Sequence, residues 1–138
     1  MGKKLLAVVT GGASGIGRAC VEEFRKTHHV VVADFAKAEE VASQLGDRAT
    51  GVFFDAADYA SCQNLAQKAA ALGEVDVLVH CAGICPPTYR IADLEPDLWR
   101  KVMSVNLDGV FYLAKALSPV LRDGGSVVLV ASRTGSTG

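Results

Sequence analysis

The sequence predicts an α/β fold in which helices cover both faces of a doubly wound, parallel sheet. Two observations support this fold class. Short apolar runs alternate with longer segments of helical period, which is the pattern of repeated βαβ units. The runs are nearly continuous in apolar residues, as expected for strands that are buried on both faces. The five predicted strands are Leu5–Val9, Val30–Ala33, Gly51–Phe54, Val75–Val79 and Ser126–Val130.

Four helices are predicted between these strands, at residues 15–27, 38–45, 61–72 and 97–122. The second and third are each followed by a glycine, Gly46 or Gly73, the usual residue at the carboxyl end of a helix. The fourth is the longest and contains no proline before Pro119. The sequence shows no linker, repeat or low-complexity tract, so residues 1–138 are predicted to form one domain.

The composition excludes several classes of function. The 138 residues carry 14 Lys and Arg against 15 Asp and Glu, and the formal net charge is -1. A dedicated nucleic-acid or membrane-surface binder would concentrate positive charge, so neither partner is predicted. Half of the residues are apolar, whereas disordered chains combine low hydrophobicity with high net charge. The sequence therefore predicts a folded globular chain.

The cysteines and the amino-terminal segment bear on the compartment. The four cysteines, at positions 20, 62, 81 and 85, lack the paired short spacings of a zinc site, so no metal is predicted. Their low density also favours a reduced, intracellular chain. The apolar run Leu5–Val9 is too short for a signal peptide or a membrane span. A cytoplasmic location is therefore expected.

A glycine-rich turn lies directly between the first predicted strand and the first predicted helix. Its sequence, residues 10–17, is Thr-Gly-Gly-Ala-Ser-Gly-Ile-Gly. Gly11 can adopt a tight turn, Gly15 lets the backbone approach a pyrophosphate, and Gly17 lets helix and strand pack closely. Ser14 and Ile16 lie within the same turn, and the helix amino terminus favours phosphate. No Gly-Lys-Ser or Gly-Lys-Thr follows, so this is not the P-loop of nucleoside triphosphatases.

Asp34 ends the second predicted strand, 23 residues after Gly11. This is close to the spacing at which an acidic residue reaches the adenosine ribose of a bound dinucleotide. A carboxylate there accepts hydrogen bonds from the ribose hydroxyls and repels a 2'-phosphate. Neither Ser14 nor Phe35 supplies a positive charge, although Lys37 is near in sequence. NAD is therefore predicted as cofactor, with NADP less favoured.

These motifs resemble the short-chain dehydrogenases and reductases. The resemblance covers the whole chain through five segments in the family's order: the glycine turn, Phe54–Asp58, His80–Gly83, Val105–Leu107 and Ala131–Gly135. It implies a Rossmann-like sheet with strand order 3-2-1-4-5. It also implies that the adenine contacts Asp55 and Ala56, and that Cys81, Ala82 and Gly83 contact the cofactor largely through their backbone.

The resemblance further implies a reaction and two catalytic residues. Members of the family move a hydride between a nicotinamide cofactor and a secondary alcohol or ketone, and they are commonly dimers or tetramers. By position, Asn106 corresponds to the catalytic Asn, which holds a relay water. Ser132 corresponds to the catalytic Ser, which orients or polarises the substrate oxygen. The chain is therefore expected to serve an NAD-dependent oxidoreductase acting on a small alcohol or ketone.

One departure from the family pattern is serious. The family places a Tyr, with a Lys four residues later, about a dozen residues after the catalytic Ser, but this sequence stops at Gly138. None of its three tyrosines has a Lys four residues on. The chain is therefore expected to be truncated before this segment, to lack the last strands of the family fold and to be inactive alone. The alternative is a non-catalytic dinucleotide-binding or subunit-interaction module.

Two smaller expectations follow from the same resemblance. His80 and Cys81 replace two asparagines of the family, and His80 is predicted to be a structural residue. His28 and His29 are expected to face solvent.

Without further strands, the run Ser126–Val130 would become a sheet edge that nothing protects from pairing with another chain. The isolated chain is therefore expected to self-associate.

Overall fold

A parallel five-stranded sheet forms the centre of the molecule. The computed structural model describes residues 4–137; residues 1–3 and 138 lie outside the described part. The strands are β1 (Leu6–Thr10), β2 (His29–Asp34), β3 (Ala49–Phe53), β4 (Val75–His80) and β5 (Leu121–Leu129). Their order across the sheet is β3-β2-β1-β4-β5, and all neighbours are parallel. The predicted fold class and strand order are confirmed.

The helices lie on both faces of this sheet. They are α1 (Gly15–Phe24), α2 (Ala38–Leu45), α3 (Tyr59–Ala70), α4 (Pro96–Met103), α5 (Gly109–Leu117) and α6 (Thr134–Thr137). One apolar cluster joins α1 and α2 to the sheet, and a second joins α3 and α5 to the opposite face. The fold is therefore doubly wound and Rossmann-like. None of the helices within residues 4–137 is long and apolar enough to span a membrane.

Burial on both faces explains why the central strands show no polar alternation. Val8 and Val31 point into the cluster under α3 and α5, whereas Val9 and Val32 point into the cluster under α1 and α2. All four side chains are fully buried. Removing a valine side chain from water stabilises the fold by about 1.5–3 kcal/mol, so either face rejects a polar residue.

The long helix predicted for residues 97–122 is wrong at its carboxyl end. The chain is α-helical in α4, widens to a π-helical turn at Ser104–Asp108, and continues as α5 to Leu117. A 3₁₀ turn, Ser118–Val120, then ends the helical region. Pro119 explains this end, because proline lacks the N–H that would continue the α-helical hydrogen bonds.

Strand β5 consequently begins earlier than predicted, and it contains an irregularity. Leu121 pairs with Val75, but the next pair is Ser126 with Val77, so the chain bulges between them. Arg122 in this bulge forms an ion pair with Asp76, with 2.5 Å between Nε and Oδ1. Asp76 also accepts the backbone N–H of Leu6 at 2.8 Å. The bulge therefore ties β5 to the amino-terminal end of the sheet.

The expectation that His29 faces solvent is also wrong. His29 is the first residue of β2 and is only 8% exposed. Its Nε2 lies 2.8 Å from Oγ1 of Thr50 on the neighbouring strand β3. The residue before it, His28, remains partly exposed and packs edge-on against Phe24. Backbone pairing between β1 and β2 fixes which of the two histidines turns inward.

Strand β5 lies at the edge of the sheet in the described residues, as the sequence predicts. Val127, Val128 and Leu129 are each about half exposed, at 49%, 49% and 50%. In the part of the chain that the structure describes, their only strand neighbour is β4. This segment therefore presents apolar side chains and unpaired backbone groups together.

Candidate functional site

A cavity of about 680 Å³ opens at the carboxyl ends of the strands. It lies where the strand order reverses between β1 and β4, the usual place for ligands in open α/β sheets. Its volume suits a small-molecule ligand. All of the residues predicted to bind a cofactor line it: Gly11, Ser14, Gly15, Ile16, Gly17, Asp34, Phe35, Asp55, Ala56, Cys81, Ala82 and Gly83. These residues come from four separate segments of sequence, which thus contribute to one surface.

The glycine turn is packed so tightly that two of its glycines admit no side chain. Gly11 has a φ of 64°, and a Cβ there would lie 2.9 Å from the backbone nitrogen of Ala82. A Cβ on Gly17 would lie 2.1 Å from the carbonyl oxygen of Gly11. The turn is therefore held between α1 on one side and the segment after β4 on the other.

Gly15 differs from these two because it faces open space. Its φ is 53°, but no atom lies within 4 Å of the position that a Cβ would occupy. Gly15 is also the first residue of α1, and the side chain of Ser14 before it makes no capping hydrogen bond. The first N–H groups of the helix are therefore available to an anionic ligand in the cavity.

Asp34 lies at the end of β2 and is fixed by the backbone around it. Its Oδ2 accepts the N–H of Ala13 at 3.0 Å, and its Oδ1 accepts the N–H of Ala36 at 3.1 Å. Each carboxylate oxygen can accept a second hydrogen bond, so the group keeps capacity for ligand hydroxyls. Phe35 beside it is 66% exposed and packs against Phe53 with 5.5 Å between ring centroids.

A short hydrogen-bonded chain holds the other wall of the cavity. Thr10 Oγ1 lies 2.6 Å from Nδ1 of His80 and accepts the N–H of Ala82 at 3.3 Å. His80 is 3% exposed, and burial lowers its pKa, so the ring is neutral at neutral pH. A neutral ring can accept the Thr10 hydroxyl proton at Nδ1. His80 thus supports the backbone of Ala82 without lining the cavity.

The two predicted catalytic residues, Asn106 and Ser132, do not line the cavity, although their near neighbours Val105 and Val130 do. Asn106 lies in the π-helical turn, where its Oδ1 accepts the N–H of Ile84 and its Nδ2 donates to the Ile84 carbonyl, both at 2.8 Å. Ser132 is exposed, and its Oγ accepts the hydroxyl of Thr134 at 2.9 Å.

Several lining residues were missed by the sequence analysis: Phe54, Ala57, Ile84, Lys101, Ser104, Val105 and Val130. Phe54, Ala57 and Val105 lie within motif segments but were not assigned a role. Ile84, Ser104 and Val130 each directly adjoin a motif segment, so extending each motif by one residue would have found them. Lys101 is different, because no motif contains it. Its spacing of four residues from Val105 places the two on one helix face, which is the signal that could have identified it.

The glycine turn, the helix that it opens and the acidic residue after the second strand define the class: a Rossmann-like α/β domain with a dinucleotide-type cavity. The family described as short chain dehydrogenase matches residues 5–138. The chain belongs to the short-chain dehydrogenase/reductase family.

Named relatives agree with this assignment. The chain is 40% identical over 141 residues to cis-4-hydroxycyclohexanecarboxylate dehydrogenase of Sinomonas cyclohexanicum, covering 96% of this chain and 57% of that protein. It is 35% identical over 140 residues to L-rhamnose 1-dehydrogenase (NAD(P)(+)) of Azotobacter vinelandii, covering 91% and 54%. The chain thus spans about half the length of the curated relatives that it matches.

A solved structure shows the same fold. The short-chain dehydrogenase/reductase glucose/ribitol dehydrogenase from Brucella melitensis superposes with a TM-score of 0.91 at 32% sequence identity. The match covers 97% of this chain and 59% of that one.

Proposed function

We propose that the protein is an NAD-dependent oxidoreductase that transfers a hydride between the nicotinamide cofactor and a small secondary alcohol or ketone. Residues 1–138 form its dinucleotide-binding domain in this proposal. The observation that carries it is the convergence of the glycine turn, Asp34 and the segment after β4 on one cavity. The relatives named as dehydrogenases support the reaction class.

The cavity residues fit a dinucleotide from its phosphates to its adenosine. The open space at Gly15 admits a pyrophosphate against the first turn of α1, where N–H groups and the helix dipole favour negative charge. Asp34 would accept the ribose hydroxyls, while Asp55 and Ala56 flank the adenine. Phe35 offers an exposed aromatic face beside Asp34.

Asp34 favours NAD over NADP in this proposal. A 2'-phosphate would meet the Asp34 carboxylate at close range, and repulsion between like charges would weaken binding. Ser14 and Phe35 carry no positive charge to offset it. The name of the Azotobacter vinelandii relative allows both cofactors, so the discrimination at Asp34 is the part of the proposal that most needs measurement.

NAD supplies the hydride acceptor when bound, and the chain's own residues position the reactants. Ser132 accepts hydrogen bonds from Thr134 and keeps its own O–H to donate to a substrate oxygen. Asn106 uses one N–H and one lone pair on Ile84. The second N–H and the second lone pair remain for a relay water.

The contact between a lysine and a tyrosine in the described residues does not provide the acid–base group of the reaction. The Lys115 ammonium lies over the ring of Tyr59, 5.3 Å from its centroid, and also near the ring of Phe111. An ammonium over a ring face makes a cation–π contact and leaves the phenol oxygen alone. We therefore expect residues 1–138 by themselves to bind NADH without oxidising alcohols. A homodimer or homotetramer is proposed for the whole protein on family grounds.

Binding of NADH, followed by fluorescence or calorimetry, tests the proposal. Gly15→Val places a branched side chain where the pyrophosphate would lie and is expected to abolish binding. Gly46→Val is the matched control, because Gly46 also has a positive φ (78°) and nothing within 4 Å of its Cβ position. Both variants place a branched side chain at a residue with positive φ, but only Gly15 lines the cavity.

The outcomes are distinct. Loss of NADH binding in Gly15→Val with retention in Gly46→Val supports a dinucleotide site at the turn. NADH binding that survives Gly15→Val, or that the unmodified chain never shows, contradicts it. Turnover of secondary alcohols with NAD by residues 1–138 alone would contradict the expectation that these residues do not provide the acid–base group.

A further inference from the structure

One positive charge lines the cavity among residues 4–137, and it belongs to Lys101 on α4. The lining also includes two carboxylates, Asp34 and Asp55. The glycine turn and the acidic residues of a dinucleotide site account for both carboxylates but not for a lysine at this place. The cavity wall therefore holds a cation that the dinucleotide motifs do not explain.

The Lys101 ammonium makes no hydrogen bond or ion pair with the part of the chain that the structure describes. Its neighbour Arg100 differs, because it pairs with Asp97 with 2.9 Å between Nη1 and Oδ1. Lys101 is exposed, and an ammonium has three N–H groups to donate. A ligand in the cavity can therefore accept these N–H groups without breaking an existing ion pair.

The helix that carries Lys101 is fixed against two other segments of the cavity wall. Asn106, in the π-helical turn that continues α4, binds both backbone polar groups of Ile84 at 2.8 Å. Gly109, at the start of α5, lies so close to Ala56 that a Cβ on it would be 2.9 Å from the Ala56 Cβ. The wall that bears Lys101 therefore cannot move away from the segment after β3 without breaking these contacts.

This helix contributes three lining residues, Lys101, Ser104 and Val105. Their spacing of three and four residues places them on one face of the helix. The Ser104 hydroxyl donates to the Lys101 carbonyl at 2.9 Å, so its proton is used within the helix. Val105 is apolar. Among these three side chains, the ammonium is therefore the one that offers a hydrogen-bond donor to a ligand.

The segment after β3 offers the complementary groups. Oδ1 of Asp55 accepts the N–H of Ala57 at 2.9 Å, and the rest of the carboxylate keeps capacity for a ligand donor. Ala56 beside it is apolar. The cavity thus combines an acceptor at Asp55, an apolar surface and a donor at Lys101. Adenine has the matching groups, because its amino group donates and its ring nitrogen N7 accepts.

The proposed phosphate site and Lys101 approach the cavity from opposite faces of the sheet. α1, whose first turn is the proposed phosphate site, packs in the apolar cluster that also contains α2. α5, which continues the helix of Lys101, packs in the cluster on the other face, together with Ala56. Lys101 is therefore better placed for a base beside Ala56 than for phosphates at Gly15.

We propose that Lys101 binds the adenine base and strengthens the binding of the adenosine half of the cofactor. This inference rests on the proposed function, because it requires a dinucleotide in the cavity. The ammonium donates a hydrogen bond to a ring nitrogen of the base, while Asp55 accepts from the amino group. The nicotinamide half makes no contact with Lys101.

Titration with parts of the cofactor tests this contact. The ligands are NADH, adenosine monophosphate (AMP) and reduced nicotinamide mononucleotide, which lacks the adenosine half but keeps a phosphate. Lys101→Met removes the charge and retains an apolar chain. NADH and AMP are expected to bind about tenfold more weakly to this variant, near the lower limit for a hydrogen bond to a charged group. Binding of the nicotinamide mononucleotide is expected to stay unchanged.

Arg100→Met is the matched control. It removes the same charge from the neighbouring position of the same helix, but Arg100 does not line the cavity. It is expected to leave the affinity for all three ligands unchanged. Equal weakening by Arg100→Met and Lys101→Met would show a general loss of positive potential and would overturn the proposed contact.

The remaining outcomes separate this inference from the proposed function. NADH binding that Lys101→Met leaves unchanged overturns the inference and leaves the dinucleotide site in place. Equal weakening of AMP and the nicotinamide mononucleotide also overturns it. Adenosine, measured by its competition with NADH, is expected to lose affinity as AMP does, and a loss for AMP alone would assign Lys101 to the phosphate. Absence of NADH binding in the unmodified chain contradicts the proposed function and, with it, this inference.

Discussion

Strand β1 and the carboxyl-terminal part of β5, Val127–Leu129, are both apolar but have opposite surroundings. β1 is buried along its whole length, because β2 and β4 flank it and helices cover both of its faces. Val127, Val128 and Leu129 of β5 are about half exposed, because β4 is the only strand that pairs with β5 within residues 4–137. Apolar composition therefore selects strand structure in both places, whereas burial depends on which elements lie alongside.

The same contrast divides the candidate site. The residues attached to β1, β2 and β4 all line one cavity. Ser132, which follows β5, is exposed and lies outside that lining, hydrogen-bonded to Thr134. The packed end of the site, which carries the glycine turn, is thus held by packed elements on every side. Ser132, the proposed catalytic residue, follows a strand that is packed on one side in the described residues.

The largest expected effect is the destabilisation of the packed end by one added methyl group. Gly17→Ala places a Cβ 2.1 Å from the Gly11 carbonyl oxygen, so the turn and α1 must separate. We expect the free energy of unfolding to fall by about 3 kcal/mol or more, the upper range for overpacking a close contact. Urea unfolding followed by circular dichroism measures it.

Gly135→Ala is the matched control at the other end of the molecule. Gly135 lies in the short helix α6, with nothing within 4 Å of its Cβ position. We expect a change of no more than about 0.5 kcal/mol there, as for other surface positions. Equal destabilisation by the two variants would contradict the difference in packing between the two ends.

The exposed strand gives the next largest effect, on association. Residues 1–138 are expected to self-associate through the run Ser126–Val130, because an apolar strand edge without charged residues pairs readily with another chain. Val128→Lys places a charge in the middle of this edge and should shift the sedimentation coefficient toward the monomer. The measurement is sedimentation velocity over a range of concentrations.

Ile91→Lys separates strand pairing from general apolar attraction. Ile91 is 85% exposed but lies in a 3₁₀ turn and not in a strand. It is expected to leave self-association unchanged. The hypothesis of association through β5 is wrong if the unmodified chain stays monomeric at every concentration. It is also wrong if both variants dissociate the oligomer to the same extent.

The sequence predicted the packed end well and the exposed end less well, for a physical reason. Gly11, Gly15, Gly17 and Asp34 could be placed because their spacing relative to strand ends follows from local geometry. The predicted helix ran past its observed end because the apolar periodicity continues to Leu121. Pro119 ends the helical region despite that periodicity. His29 was misplaced because its burial depends on the register between β1 and β2 and not on its own sequence neighbours.

Cofactor preference gives a smaller effect, confined to the packed end. Asp34→Ala combined with Phe35→Arg removes the carboxylate and adds a cation, so it should shift the preference toward NADP about ten- to hundredfold, the worth of one charge-assisted hydrogen bond. Titration of both cofactors gives the ratio of dissociation constants. Phe35→Arg alone is the control and is expected to shift it less, because Asp34 still repels the 2'-phosphate. Equal or tighter binding of NADP by the unmodified protein would contradict the prediction.

The smallest expected effect is the dependence of stability on pH, and it too belongs to the packed end. Burial lowers the pKa of both His29 and His80, and Lys4 lowers that of His29 further. Below the ordinary histidine pKa of about 6.5 the unfolded chain therefore binds protons that the folded chain does not. Stability is then fully present above this pH and is lost as the pH falls, by at most about 1.4 kcal/mol per pH unit for each histidine. Urea unfolding between pH 7.5 and pH 5, about one unit above and about 1.5 units below that value, should show this decline. His29→Gln and His80→Gln should each flatten it, whereas His28→Gln, at a partly exposed position, should not. A stability that rises toward pH 5 would contradict the burial of these two rings, and an identical slope in all three variants would show that carboxylates control the acid response instead.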